Sequence, residues 1–286
     1  MVGGGGRELQ LGEDAADVLL DRALGDHQAL GDGGVGAALR HQAQHLALPR
    51  RQLGEGVVAA AAAEELGDHL RVEGGAAVAH DVQVEQFERR AWRAPRTEAG
   101  LRDGVLRLHA RCPFFIGFGN CSVDYRIQVP AGTPVRIRDS SGDLTVAGVR
   151  GEVDVRTGSG NVHVREVVGP VSATTSSGDV TLTRTEGDVR ARTSSGNVIG
   201  EQLAGRRIEA RTSSGDVRVE AVRTPPDSLT ATSSSGDIRV VVPDEVYRVD
   251  ANTSSGHVDL SLRQDLAAPR RIEARTSSGD VVVRSG

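Results

Sequence analysis

The chain has 286 residues, 34 basic and 39 acidic side chains and a formal net charge of −5. Every basic residue is arginine, which excludes chemistry that depends on a P-loop or Schiff-base lysine. Aromatic residues make up only 2%, too few for a core of large rings, and the length allows one or two domains.

Residues 1–65 are rich in Ala, Gly, Leu, Asp and His, with helix-like stretches near Ala15–Leu24 and Gly36–Leu48. They hold 5 Arg against 10 acidic residues, so the net charge resides here. The rest of the chain is neutral and offers no basic field to attract nucleic acid. No apolar periodicity runs on from this segment. It is predicted to be an atypical extension, poorly ordered or weakly helical, with a small helical domain or a misplaced start codon as alternatives. The first residues do not read as a signal peptide. The apolar run Val57–Ala63 is too short to span a bilayer.

From residue 66 the pattern turns to strands, as in His69-Leu-Arg-Val-Glu and Ser122-Val-Asp-Tyr-Arg-Ile-Gln-Val. Residues 66–130 are predicted to be a non-repetitive β cap over the first coil of a repeat region. Cys112 and Cys121 lie here and enclose three of the four phenylalanines. Their separation permits a disulfide across a hairpin, which would imply an oxidising compartment. Two reduced cysteines packed under the cap are the alternative.

Residues 131–286 repeat one phrase eight times: Ser-Gly, a polar residue, then an aliphatic one. The glycines are Gly142, Gly160, Gly178, Gly196, Gly215, Gly236, Gly256 and Gly279, at intervals of 18 to 23 residues. Such a period marks a solenoid in which each repeat is one coil. Two and four residues after each glycine come aliphatic side chains, with Gly200 an exception, and mostly polar ones stand between. That alternation is a strand with one buried face. A second strand leads into each glycine, with Ile137, Val155 or Ala five residues before it and usually Thr three before it. The prediction is an all-β, single-stranded β-solenoid (β-helix) of about 18–23 residues per coil. A β-sandwich is the rival, but it has no reason to repeat its sequence in phase.

The residue after each glycine is Asp143, Asn161, Asp179, Asn197, Asp216, Asp237, His257 or Asp280. As a turn ladder these side chains would accept hydrogen bonds from turn amides. Calcium ligation is the sharper alternative. A broken column of arginines, Arg138, Arg156, Arg192, Arg211 and Arg275, stands four residues before the glycines. It reads either as a solvated face or as a binding column for an acidic polymer such as an envelope polysaccharide. No serine differs from its counterparts, and His163 and His257 are predicted about five coils apart, so no hydrolytic triad is expected. No catalytic residue, cofactor or metal is assigned. The C-terminal strand, with Val281 and Val283 inward and Val282 outward, is predicted to be an unpaired edge, open to end-to-end self-association through the C-terminal coil.

The repeated Thr-Ser-Ser-Gly-Asp-Val phrase, preceded by Cys121-Ser-Val-Asp-Tyr-Arg-Ile-Gln-Val-Pro-Ala-Gly132, resembles a bacterial adhesin-type domain family. The resemblance covers roughly residues 66–286. It implies a single-chain β-solenoid without a known biochemical activity, located at the cell envelope or outside the cell. Similar proteins are often tethered by an N-terminal membrane segment, which this sequence does not show. The expected function is a non-enzymatic structural or adhesin-like interaction module of the bacterial envelope, with polysaccharide or another protein as partner. The alternative is a carbohydrate-active β-helix enzyme, a polysaccharide lyase or hydrolase.

Overall fold

The computed structural model describes residues 43–46, 56–64, 69–73, 83–89, 96–102, 105–111, 122–130, 132–221 and 223–286. Among these there are strands and turns but no helix. Seven strands precede the repeats: β1 (Ala43–Leu46), β2 (Gly56–Glu64), β3 (His69–Glu73), β4 (Gln83–Arg89), β5 (Arg96–Arg102), β6 (Val105–Arg111) and β7 (Ser122–Pro130). The first four coils hold β8 (Val135–Arg138), β9 (Leu144–Ala147), β10 (Val153–Ser159), β11 (Val162–Val168), β12 (Val171–Ser177), β13 (Val180–Glu186), β14 (Val189–Arg192) and β15 (Val198–Glu201). The next two hold β16 (Arg207–Arg211), β17 (Val217–Glu220), β18 (Ser228–Thr232) and β19 (Ile238–Val242). The last stretch holds β20 (Val246–Ser255), β21 (Val258–Ser261), β22 (Arg263–Gln264), β23 (Arg271–Ser278) and β24 (Val281–Ser285).

Each coil places one strand in each of two sheets, and successive coils pair in parallel, as Val162 with Val180 and Val153 with Val171. The fold is therefore the predicted β-solenoid of about eight coils. Its core is a double row of aliphatic side chains from the first sheet, such as Val180, Leu182, Val217 and Val219, all 0–1% exposed. The second sheet faces them with Ile, Val and Ala, including Ala173, Ala191 and Ala231 at 0%. Gly200 breaks the inward file. Leu203 reaches into the gap, its Cδ1 lying 2.7 Å from where a Gly200 Cβ would stand.

Glycine stands at each Ser-Gly corner for two reasons. Those from Gly142 to Gly279 have φ between 117° and 147°, which L side chains resist. A Cβ on Gly215 would also stand 2.2 Å from the carbonyl oxygen of Gly196, one coil below. The threonines three residues before the glycines tie neighbouring coils together. Thr175, Thr193, Thr212 and Thr276 are 2–7% exposed. Their hydroxyls donate to the glycine carbonyls of the neighbouring coil at 2.8–3.0 Å, so burial leaves none of these four hydroxyls unpaired.

The N-terminal end is closed by antiparallel strands. β2 pairs with β7 and β9, and β3 pairs with β6 and β8. The sequence assigned residues 1–65 to an extension, poorly ordered or weakly helical. Instead Ala43–Leu46 and Gly56–Glu64 are strands, and the second lies directly on the first coil. Pairing on both edges, with β7 and β9, makes this apolar run a strand.

The coil order corrects a second expectation. The sheets run β17-β19-β24-β21 and β16-β18-β23-β20. The last coil in sequence thus sits between its two predecessors, and the coil of β20 and β21 forms the end. β24 pairs with both β19 and β21, and Val281 and Val283 are 0% exposed. The C-terminal strand is not an edge, so the premise for self-association through it fails. The open edge belongs to β21, where Val258 is 42% exposed, and to the part of β20 beyond Tyr247, since β22 pairs only with Val246 and Tyr247.

Candidate functional site

The outer face of the second sheet carries the feature with most chemistry. Strand register brings Arg138, Arg156, Thr174, Arg192, Arg211, Thr232, Arg275 and Asn252 into one row. The predicted arginine column is thus a physical row, one residue per strand, at about 4.8 Å per step. A second row beside it was not recognised from the sequence. It runs Arg136, Asp154, Ser172, Arg190, Glu209, Thr230, Glu273 and Asp250. The signal was present two residues upstream of each arginine, but signs alternate there and obscure the column.

Carboxylates in the second row gather the arginines into groups. Asp154 holds Arg136 and Arg156, each at 3.3 Å. Glu209 holds three guanidiniums: Arg192 at 2.6 Å, Arg211 at 2.8 Å and Arg190 at 3.0 Å. Asp250 and Glu273 hold Arg275 and Arg271. Hydroxyl coils, Ser172 with Thr174 and Thr230 with Thr232, separate the groups. Three cations on one carboxylate leave a positive surplus at Glu209. Partial burial opposes the Glu209 charge. The Arg192 hydrogen bond and the fields of Arg192, Arg211 and Arg190 outweigh it and hold the carboxyl below its usual 4.5. A hydrogen bond from Arg207 likewise lowers Asp188. Both groups are charged at neutral pH. Their contribution to stability is present above the unfolded-state value and is lost as pH falls through the folded one.

Beside these rows lies an open trough of about 460 Å³. Its floor includes Val171, Val189 and Ile208, and Asp188, Arg190, Arg207, Glu209 and Arg211 line it.

The Asx turn ladder forms a hydrogen-bonded chain. Each Oδ1 accepts from the backbone N–H of the ladder residue on the next coil, from Asp143 to Asn161 at 2.6 Å through Asp216 to Asp237 at 2.8 Å. Asn161, Asp179 and Asn197 do the same at 2.7–2.9 Å. The chain then passes from Asp237 to Asp280 and from Asp280 to His257, each at 2.8 Å. It ends on a residue with no carboxylate or amide, in the coil that has no further neighbour. His163 and His257 are six strand steps apart in the first sheet rather than five, because the C-terminal coil intervenes. Cys112 and Cys121 lie outside the described residues. Among the described residues, no three His, Cys, Asp or Glu side chains converge as a metal site. No helix there is long and apolar enough to cross a membrane.

These features define a two-sheet parallel β-solenoid with side-chain ladders along its faces. The family model described as Toastrack DUF4097 matches residues 126–284, and the chain belongs to that family. No curated protein and no solved structure was found to match it.

Proposed function

We propose that the protein is a non-enzymatic, adhesin-like interaction module of the bacterial envelope that holds an extended anionic polymer along its arginine row. The observation that carries this reading is the in-register row with its surplus charge at Glu209. An extended polyanion lying across the strands meets a guanidinium at successive steps, while Thr174 and Thr232 supply hydroxyls between them. Guanidinium groups suit this role because they bind carboxylate or phosphate through two parallel hydrogen bonds. The rival reading, a polysaccharide lyase or hydrolase, calls for a carboxyl raised to serve as an acid. In the trough, Asp188 and Glu209 are shifted the other way.

The test is binding of polygalacturonate, with neutral dextran as control. Wild type is expected to bind the polyanion, and more weakly as salt rises. A double Arg192→Ala, Arg211→Ala variant is expected to lose roughly tenfold per arginine, since a charge-assisted hydrogen bond is worth about 1.5 kcal/mol or more. Both side chains are about half exposed, 44% and 51%, so folding is expected to survive. Equal binding of dextran, or a variant that binds like wild type, would remove the arginine row from the account.

A further inference from the structure

We propose that the C-terminal coil, β23 and β24, is a removable insert, and that the slot it fills also accepts the same coil from a second copy of this chain. Three observations carry this.

First, the insert has the sequence of an internal coil and its outer neighbour has the sequence of an end. Arg270–Val281 is identical over twelve residues to Arg206–Val217, whose coil is flanked on both sides. The outer coil departs from this consensus where a further neighbour would matter. It has His257 in the turn ladder, with no side-chain oxygen to accept from the N–H of a further coil.

Second, the slot recognises the insert through contacts that the chain itself specifies on both walls. Thr276 donates to the Gly236 carbonyl at 3.0 Å, and Thr253 donates to that of Gly279 at 2.8 Å. Arg275 pairs with Asp250 at 2.6 Å on the outer coil. A second copy's C-terminal coil brings all of these contacts unchanged.

Third, the insert is a chain end. It leaves the slot without threading if the connection 262–270 swings away. That connection is held by the two-residue strand β22 on β20 and by ion pairs of Arg263 with Asp244 at 3.1 Å and of Arg270 with Glu245 at 3.8 Å. Leu266 within it is 83% exposed. Nine residues reach about 30 Å when extended, enough to enter a neighbouring molecule. Closed and exchanged forms then share their contacts and differ mainly in the connection, so protein concentration sets the balance between them.

The experiment uses two pools of full-length protein, both carrying Cys112→Ser and Cys121→Ser. One pool adds Arg239→Cys and the other Val282→Cys. These positions are direct register partners on β19 and β24. The mixed pools are held at high concentration in urea just below the onset of unfolding, then oxidised. A disulfide-linked heterodimer whose yield rises with concentration is expected. A control pairing the Arg239→Cys pool with an Asp259→Cys pool sets the background, because β21 is not a neighbour of β19. Heterodimer at the background level at every concentration would overturn the proposal.

Discussion

Replacing Gly215 by alanine is expected to destabilise the solenoid by about 3–5 kcal/mol, at the severe end for single substitutions. Two effects add. The corner has φ of 134°, and holding an L residue in such a conformation costs on the order of 1–3 kcal/mol. The new Cβ would also stand 2.2 Å from the Gly196 carbonyl oxygen and 2.6 Å from its carbon. That neighbour is backbone and is fixed by its own stacking, so the coils must part locally. Gly132 serves as control. It has nothing within 4 Å of an added Cβ and no positive φ, so Gly132→Ala is expected to stay within about 0.5 kcal/mol of wild type. Urea midpoints of the two variants make the comparison. Equal midpoints would mean that the glycine corners do not set coil spacing.

Removing residues 271–286 is expected to dismantle two coils rather than one. The deletion takes away Ile272, Val281 and Val283, each 0% exposed, a loss of roughly 5 kcal/mol or more in burial alone. It also strips the outer coil of its partners, since β20 is held by β23 and β21 by β24. Amide exchange measures this directly, because repeat arrays lose protection coil by coil. Protection of Val246–Ser261 is expected to vanish with the deletion, while Val153–Thr193 keeps its own. A truncated chain that still protects Val246–Ser261 would mean that the outer coil rests on β18 and β19.

Much of this architecture was legible because a solenoid writes its geometry into columns. The Ser-Gly phrase gave the coil, the alternation gave the inward files, and the Thr and Asx columns gave the corners. The arginine row was legible for the same reason, whereas its acidic companion was hidden by alternating sign. The strand Gly56–Glu64 was missed because its sequence is mostly alanine, a helix former. Only pairing with β7 and β9 makes it a strand, and a sequence does not display that pairing. The coil order was missed because the repeat phrase specifies how a coil stacks and not which coil it stacks on. His257 was the available clue. It stands where a coil needs nothing beyond it, in the seventh copy and not the eighth.

The insertion of the last coil sets the register of both sheets at the C-terminal end, including Arg275 in the arginine row. It can be tested within single molecules at high dilution, in chains carrying Cys112→Ser and Cys121→Ser. One chain adds Arg239→Cys with Val282→Cys, the other Arg239→Cys with Asp259→Cys. Neighbouring parallel strands bring Cα atoms to about 4.8 Å, within disulfide range, whereas two steps give about 9.6 Å, beyond it. The measurement is the fraction of intramolecular disulfide after mild oxidation. The 239–282 pair is predicted to close and the 239–259 pair to stay reduced. Closure of 239–259 with 239–282 left open would show that the coils stack in sequence order and would contradict the account.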